Sequence, residues 1–216
     1  MAIPEIIGSI RSTYTRTACM VCEEKGIEYT LTERLLHAPE IRAIHPFGKM
    51  PVLRHGEVAL FESVAIATYL DRSFPAPLVF PSDPHHAALT EQWVSLVNTV
   101  MDPTLIRTYL YAYIAPKTTD GESDRAAIDA VLPALREQIA VLDKAVAKTG
   151  YLVGDQFTFA DINLLPILYR VRQFPEGAAA VAAATHLARY YDRHAQRPSF
   201  QRTTPPPGPP RRTKPS

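Results

Sequence analysis

Residues 45–63, HPFGKMPVLRHGEVALFES, hold the side-chain types and spacing from which a ligand site can be built. A Pro-Phe-Gly turn leads into a short apolar run headed by Pro51, a His-Gly turn follows, and a second run, Val58 to Phe61, ends at Glu62-Ser63, where a helical pattern opens. This order predicts a β-hairpin feeding a helix N-terminus. Pro51 has no N–H to give to a ladder, so it marks an edge, a strand start or a cis peptide. A cis Met50-Pro51 bond would turn the main-chain N–H and C=O of Met50 away from the sheet, where an extended ligand can pair with them. The open N–H groups of a helix start attract carboxylates, and Ser63 adds a hydroxyl donor. Taken alone, Glu62 is only an acid favoured near a helix start.

A second group of candidates is the loop Ser9 to Thr17, SIRSTYTRT, crowded with hydroxyls just before the first helical pattern. Its serines and threonines read first as caps and loop residues, and Arg16 as an exposed arginine on a helix face. Cys19 and Cys22 form a C-x-x-C. Redox pairs work at a helix N-terminus, where the thiolate is stabilised, whereas these lie deeper in the helix beside Ala18 and Val21 and are expected to be buried core thiols. The seven histidines show no ligand spacing, and no metal is expected. Phe157 to Ile162 is a folding signal: Thr158 as N-cap, Asp161 returning the bond at N3, Phe157 and Ile162 at the staple positions.

Several elements must position these residues. Ile3 to Ile7 is a strand candidate ended by Gly8; a helix follows from about Thr15 to Lys25, stopped by Gly26; IEYTLT is a second strand; Pro39 to Ile44 suits a short helix. With the hairpin and a helix over Ser63–Ser73, the order is βαβ, short helix, ββα, that of an α/β thioredoxin-like domain over residues 1–76. The four prolines of FPAPLVFPSDP mark a linker, 77–84. Helical periodicity dominates residues 85–202, which predicts an all-α helical bundle. One long helix runs from His85 to Tyr113, kinked at Pro103, and a second covers 124–149 with Ile128, Val131, Leu132, Leu135, Ile139, Leu142 and Val146 at three- and four-residue steps. Pro166 should bend the helix after the capping box. A last helix, Thr185 to Gln196, precedes the proline-rich basic tail 203–216, which has little to bury and is expected to be disordered.

A chain of 216 residues can bury a sizeable core. The formal charge of +1 hides three tail cations, Arg211, Arg212 and Lys214, without which the remainder stands at −2. Nothing asks for nucleic acid. No apolar run approaches the ~20 residues that cross a bilayer, no leader pattern opens the chain, and two cysteines argue against a disulfide-built secreted scaffold, so no membrane association and a cytoplasmic location are expected.

EEKGIEY after the first helix, HPFGKMPVL, LFES and GDQFTFADI together resemble the cytosolic glutathione S-transferases over residues 1 to about 202, and the loop GSIRSTYTR is most similar to the serine-type phi-like and bacterial branch. The resemblance implies glutathione as co-substrate, conjugated to a small electrophilic, largely apolar second substrate, in a homodimer. A thiol near pKa ~8.5 is only about 3% ionised at neutral pH. Lowering that pKa by about two units requires roughly 2.7 kcal/mol of preferential thiolate binding. One hydroxyl donor to a charged acceptor contributes about 1.5–3 kcal/mol and a helix N-terminus about 0.3–1 more, so a single loop hydroxyl suffices.

By the family's spacing Ser12 is the thiolate donor, with Tyr14 and Thr13 in reserve. The resemblance assigns glutathione binding to His37, Lys49, Met50, Pro51, Glu62 and Ser63. Glu62 accepts from the γ-glutamyl amine, Ser63 donates to its carboxylate, Met50 pairs through its main chain beside Pro51, His37 serves the glycine carboxylate, and Lys49 is open between the tripeptide backbone and that carboxylate. Asp102 is open between a role at a neighbouring subunit's ligand amine and a plain Asp-Pro kink. Ile10, Arg11, Tyr14, Thr108, Tyr111 and Tyr113 are candidates for the electrophile pocket. A non-catalytic glutathione or ligand carrier is the alternative reading. A glutathione-dependent isomerase or peroxidase is a further alternative, disfavoured because the first-helix loop lacks a cysteine.

Overall fold

The structure, a computed structural model, describes residues 2–75, 77–115, 118 and 122–207. Four strands form one mixed sheet in the order β2-β1-β3-β4. Strand β1 (Glu5–Gly8) runs parallel to β2 (Thr30–Glu33) and antiparallel to β3 (Val52–His55), which pairs antiparallel with β4 (Val58–Phe61). The parallel pair needs a crossover, and α1 (Thr13–Lys25) supplies it, ended by Gly26 at φ 64°, whose N–H caps the Cys22 and Glu23 carbonyls. Alternation along β1 sends Ile6 into the main core and Ile7 to the opposite face, where it meets Ile41 of the short α2 (Pro39–Arg42) and Val52. Helix α3 (Ser63–Ser73) follows β4 directly and packs on α1.

The linker stretch is pinned at its start. Buried Lys25 pairs with Asp71 at 3.0 Å and donates to the Pro75 and Pro77 carbonyls at 3.1 and 2.8 Å. Asp71 in turn accepts from Val79 N–H at 2.9 Å. The second half opens with α4 (Pro84–Leu96), capped by Asp83 with Pro84 in the first turn. It continues through wide π turns, Val97–Met101 and Pro103–Leu110, into α5 (Tyr111–Ile114). The sequence predicts a kink at Pro103; the chain instead absorbs the missing N–H by widening the helix around Asp102. Helix α6 (Arg125–Val146) buries Ile128, Leu135, Ile139, Leu142 and Val146, as its spacing requires. The buried α7 (Phe159–Val171) packs along α1. Two helices, α8 (Pro175–Ala183) and α9 (Thr185–His194), pack on α6.

Three expectations need correction. The chain has one further helix beyond the expected last one, α10 (Pro198–Arg202), which packs on α1. Residues 203–207, expected to be disordered, are packed: Thr203 and Pro205 are buried, and Arg11 Nη2 donates to the Pro207 carbonyl at 3.1 Å. Residues 208–216 lie outside the described residues. Arg16, read as exposed, is only 2% exposed. Its guanidinium lies 4.0 Å from the Phe200 ring and 4.6 Å from that of Tyr169, and its Nη2 donates to the Phe200 carbonyl and to Thr204 Oγ1 at 2.8 and 3.0 Å. Carbonyls and ring faces here replace water around a cation, and burial pushes its pKa down to about 10. Cys19 and Cys22 are fully buried as expected, and burial pushes the Cys19 thiol up to about 12. Among the described residues no helix is long and apolar enough to cross a membrane.

Candidate functional site

The hydroxyl loop turns over at Ser12, whose N–H donates to the Ser9 carbonyl at 2.9 Å. Ser12 is the N-cap of α1, and its Oγ accepts from Thr15 N–H at 3.4 Å. Capping uses a lone pair and leaves the hydroxyl proton unspent: among the described residues Ser12 Oγ donates to nothing. The cap reading and the thiolate-donor reading are therefore compatible. Thr13 is buried at 6% exposure. Tyr14 is half-buried against the second half of the molecule; burial first, and then Asp102, push its phenol far above the ordinary range, so it is a neutral group at any physiological pH.

Gly8 sets how closely this loop approaches the hairpin. A Cβ there would stand 2.6 Å from Thr15 Oγ1 and 3.1 Å from Met50 Cβ, both on buried or part-buried walls. Gly8→Ala is expected to destabilise the fold by about 1–3 kcal/mol, read by urea unfolding, because the strain displaces packed groups on two elements. An unchanged midpoint would mean that α1 is free to move away from the strand.

Across the loop, Met50-Pro51 is cis, the sheet ladder begins only at Val52, and the Met50 sulfur accepts from Ser9 N–H at 3.1 Å. Glu62 stands at the N-cap of α3 with φ 67° and no side-chain capping bond. A non-glycine residue in the left-handed region costs of order 1–3 kcal/mol and gathers at ligand-binding positions. Its exposed carboxylate is held by buried His45, whose Nε2 lies 3.4 Å from Glu62 Oε1 while Nδ1 accepts from Phe47 N–H at 3.0 Å. That acceptor role at Nδ1 leaves the proton on Nε2, facing Glu62. Ser63, in the first turn of α3, is 5% exposed, and its hydroxyl has no hydrogen-bond partner among the described residues. Lys49 is exposed and forms no ion pair among the described residues. His37 is exposed at φ 65°, its N–H bonded to the Gly48 carbonyl at 2.9 Å; a Cβ on Gly48 would come within 2.6 Å of His37 Nδ1.

On the other wall, Asp102 is 4% exposed, accepts from Arg107 Nε at 2.8 Å through Oδ2, and leaves Oδ1 buried without a partner. Arg107 also donates from Nη1 to Tyr111 Oη at 2.9 Å and lies 6.0 Å from the Tyr14 ring. The Asp-Pro step thus carries a side chain facing α1 rather than a plain kink. Tyr14, Arg107 and Tyr111 form one group beside the Ser12 loop. Ile10 is half-buried on the main core, its N–H given to Glu33 Oε1 at 2.9 Å, and Arg11 is exposed.

Two pocket candidates are not drawn into this group. Tyr113 faces α8: its hydroxyl bonds to Glu176 and its ring stacks on Phe174 at 4.2 Å. Thr108 turns its hydroxyl back to the Pro103 carbonyl at 2.9 Å. The π turns Val97–Met101 and Pro103–Leu110 depart from a regular 3.6-residue period over this stretch. The residue that sequence reasoning missed is His45; the only signal was its place two residues before Phe47 in the turn, which does not reveal that its ring is buried. Among the described residues no cluster of three or more His, Cys, Asp or Glu is placed to hold a metal ion.

A thioredoxin-like sheet with a cis-proline hairpin and an appended all-helical half defines a two-part class of protein. The chain belongs to the glutathione S-transferase family. Residues 7–78 match the family model for the glutathione S-transferase N-terminal domain and 101–198 that for the C-terminal domain. It is 30% identical over 212 residues to glutathione S-transferase 3 of Zea mays, covering 94% of each chain. The theta class glutathione S-transferase of Xanthomonas axonopodis pv. citri, with glutathione bound, superposes with TM-score 0.77 at 29% identity over 94% of this chain and 97% of that one. Glutathione transferase F7 of Populus trichocarpa shares the fold with TM-score 0.84 at 23% identity, over 93% and 97%.

Proposed function

We propose that this glutathione transferase binds glutathione along the Met50-Pro51 edge and the α3 N-terminus, lowers its thiol pKa with the Ser12 hydroxyl, and transfers the sulfur to a small electrophile. The observation that carries the reading is the α3 start, where Glu62, at φ 67° and with its exposed carboxylate 3.4 Å from His45 Nε2, adjoins the Ser63 hydroxyl, which has no hydrogen-bond partner among the described residues. An amino-acid head group satisfies both at once: its ammonium meets Glu62, and its carboxylate meets Ser63 and the first-turn N–H groups. Met50 pairs through its main chain beside Pro51, and His37 and Lys49 take the glycine carboxylate. The electrophile lies on the far side of Ser12, against Ile10, Arg11, Tyr14 and Tyr111.

In this reading residues 1–76 bind glutathione, 77–84 link, and 85–202 supply the second-substrate wall; the protein works as a cytoplasmic, detoxifying homodimer without a metal. Phe47, 72% exposed, and Val100, 46% exposed, offer apolar surface that a second copy can cover. Calorimetric titration with glutathione tests the site. Glu62→Ala is expected to weaken binding by about 10- to 100-fold, the worth of a charge-assisted hydrogen bond of about 1.5–3 kcal/mol. Absence of binding by the wild-type protein, or an affinity indifferent to Glu62, would overturn the assignment.

A further inference from the structure

The side chain of His45 stands where the Met50-Pro51 edge and the α3 start meet. Its main chain is fixed on both sides: its N–H donates to the Ile41 carbonyl in α2 at 2.7 Å, and its carbonyl accepts from Gly48 N–H at 2.9 Å. His45 is 3% exposed, and its ring packs on that of Phe61 with centroids 4.8 Å apart. Phe61 pairs with Val52, the residue after the cis Met50-Pro51 bond, so the ring spans from the turn that leads to Met50 to the strand end that leads to Glu62.

The two ring nitrogens do separate work. Nδ1 accepts from Phe47 N–H at 3.0 Å and closes the Pro-Phe-Gly turn. A ring that accepts at Nδ1 is a neutral imidazole with its proton on Nε2, and Nε2 lies 3.4 Å from Glu62 Oε1, at the outer edge of hydrogen-bond reach. Among the described residues no lysine or arginine forms an ion pair with Glu62, whose side chain is 67% exposed. A cation at that point would cancel the carboxylate's charge and repel an incoming ammonium; a neutral N–H donor restricts the direction of the carboxylate and leaves its charge for the ligand. A long acid with its direction already restricted loses less rotamer freedom on binding.

We propose that His45 is a positioning residue for glutathione: through Nε2 it aims the Glu62 carboxylate at the γ-glutamyl ammonium, so that selection of a free α-amine depends on a side chain that does not itself touch the ligand. The proposal rests on the glutathione reading of the α3 start and deepens it. A ring that merely filled space would support every ligand of the cleft equally.

The test is calorimetry with glutathione and with glutaryl-cysteinyl-glycine, the same tripeptide without the α-amine. His45→Asn keeps an acceptor for Phe47 N–H, since an asparagine closes the same turn to the residue two further on, but it is too short to reach Glu62. It is expected to weaken glutathione binding about three- to tenfold, the worth of one hydrogen bond, and to leave the analogue within about 1.5-fold. His45→Gln carries an amide donor toward the Nε2 position and should restore most of the glutathione affinity. In a Glu62→Ala background, His45→Asn should cost no further affinity. In turnover the loss should fall on the KM for glutathione and not on kcat. An equal loss for both peptides, an undiminished glutathione affinity in His45→Asn, or a loss that adds to that of Glu62→Ala overturns the positioning role and leaves the glutathione site standing. Absence of glutathione binding by the wild type rejects both. Should His45→Asn not fold, the nitrogen-15 spectrum of the histidine rings in the wild type decides: a protonated Nε2 at His45 whose resonance moves with glutathione and not with the analogue supports the role, and any other result rejects it.

Discussion

Ser12→Ala is expected to lower kcat/KM for conjugation by about 10- to 100-fold, the equivalent of one hydroxyl donor to a charged acceptor at about 1.5–3 kcal/mol. The loss should appear with a rise in the pKa of bound glutathione, followed by the ultraviolet absorbance of the thiolate. The Ser12 hydroxyl has an unspent proton at the first turn of α1, the end of the helix where an anion is favoured. Ser12→Thr keeps the donor and should retain most of the activity. Tyr14→Phe is expected to have little effect on the thiol pKa, since the phenol is held toward Asp102 and Arg107. Losing the N-cap also costs about 1 kcal/mol of stability, a shift of about 2–4 °C in Tm for a protein of this size, which does not deplete the folded enzyme. Full activity in Ser12→Ala together with a loss in Thr13→Val or Tyr14→Phe would move the assignment to one of those hydroxyls.

The second large effect is structural. Asp161 is fully buried and accepts four hydrogen bonds: from Thr158 N–H at 2.9 Å, Leu152 N–H at 3.0 Å, the Tyr190 hydroxyl at 3.1 Å and the Thr158 hydroxyl at 3.2 Å. Asp161→Ala leaves two buried main-chain donors without partners, each costing about 1–3 kcal/mol, and a loss of about 3–5 kcal/mol by urea unfolding is expected. Burial pushes the Asp161 carboxyl up to about 6, so the folded state holds its proton more tightly than the unfolded chain does. Its contribution is full below the unfolded pKa near ~3.9 and is lost as pH rises through about 6. His194, pushed down to about 4 by burial, acts in the opposite sense, removing stability as pH falls from ~6.5. Asp161→Asn abolishes the first contribution alone, so its stability should fall more steeply below pH ~6 than that of the wild type. Parallel pH profiles would show that Asp161 does not titrate there.

Local chemistry made much of this legible in the sequence. Thr158 and Asp161 lie three residues apart before an apolar run, and only a capping box uses that pattern; Pro51 at the head of a strand left few options, of which the cis bond is the one realised. Gly26 stops α1 because it can enter the left-handed region. Arg16 and His45 were opaque because their surroundings come from elements far along the chain. A lone arginine on a helix reads as solvated, and nothing near Arg16 announces that Phe200, Thr203 and Thr204 will surround it. Helix α8, PEGAAAVAA, has almost no apolar period to detect. The surroundings of Tyr111 and Tyr113 were opaque for a related reason. Tyr111 and Tyr14 meet Arg107, whereas Tyr113 is taken by Glu176 of that undetected helix, and the π turns shift phases that a regular 3.6-residue period assumes.

The last stretch of chain is bound to the first helix at several points. Arg16 is enclosed by Phe200, Thr203 and Thr204, Arg197 grips Glu24 with two bonds of 2.7 and 2.6 Å, Arg202 reaches Glu23, and Arg11 reaches Pro207. The helix that presents Ser12 is thus completed by residues 184 and 188 positions further along the chain. A chimera that joins this glutathione-binding half to another relative's helical half at the linker would inherit a foreign 197–207 segment against Arg16, so shuffled proteins of this kind should transplant the 11–24 and 197–207 segments together as one cassette.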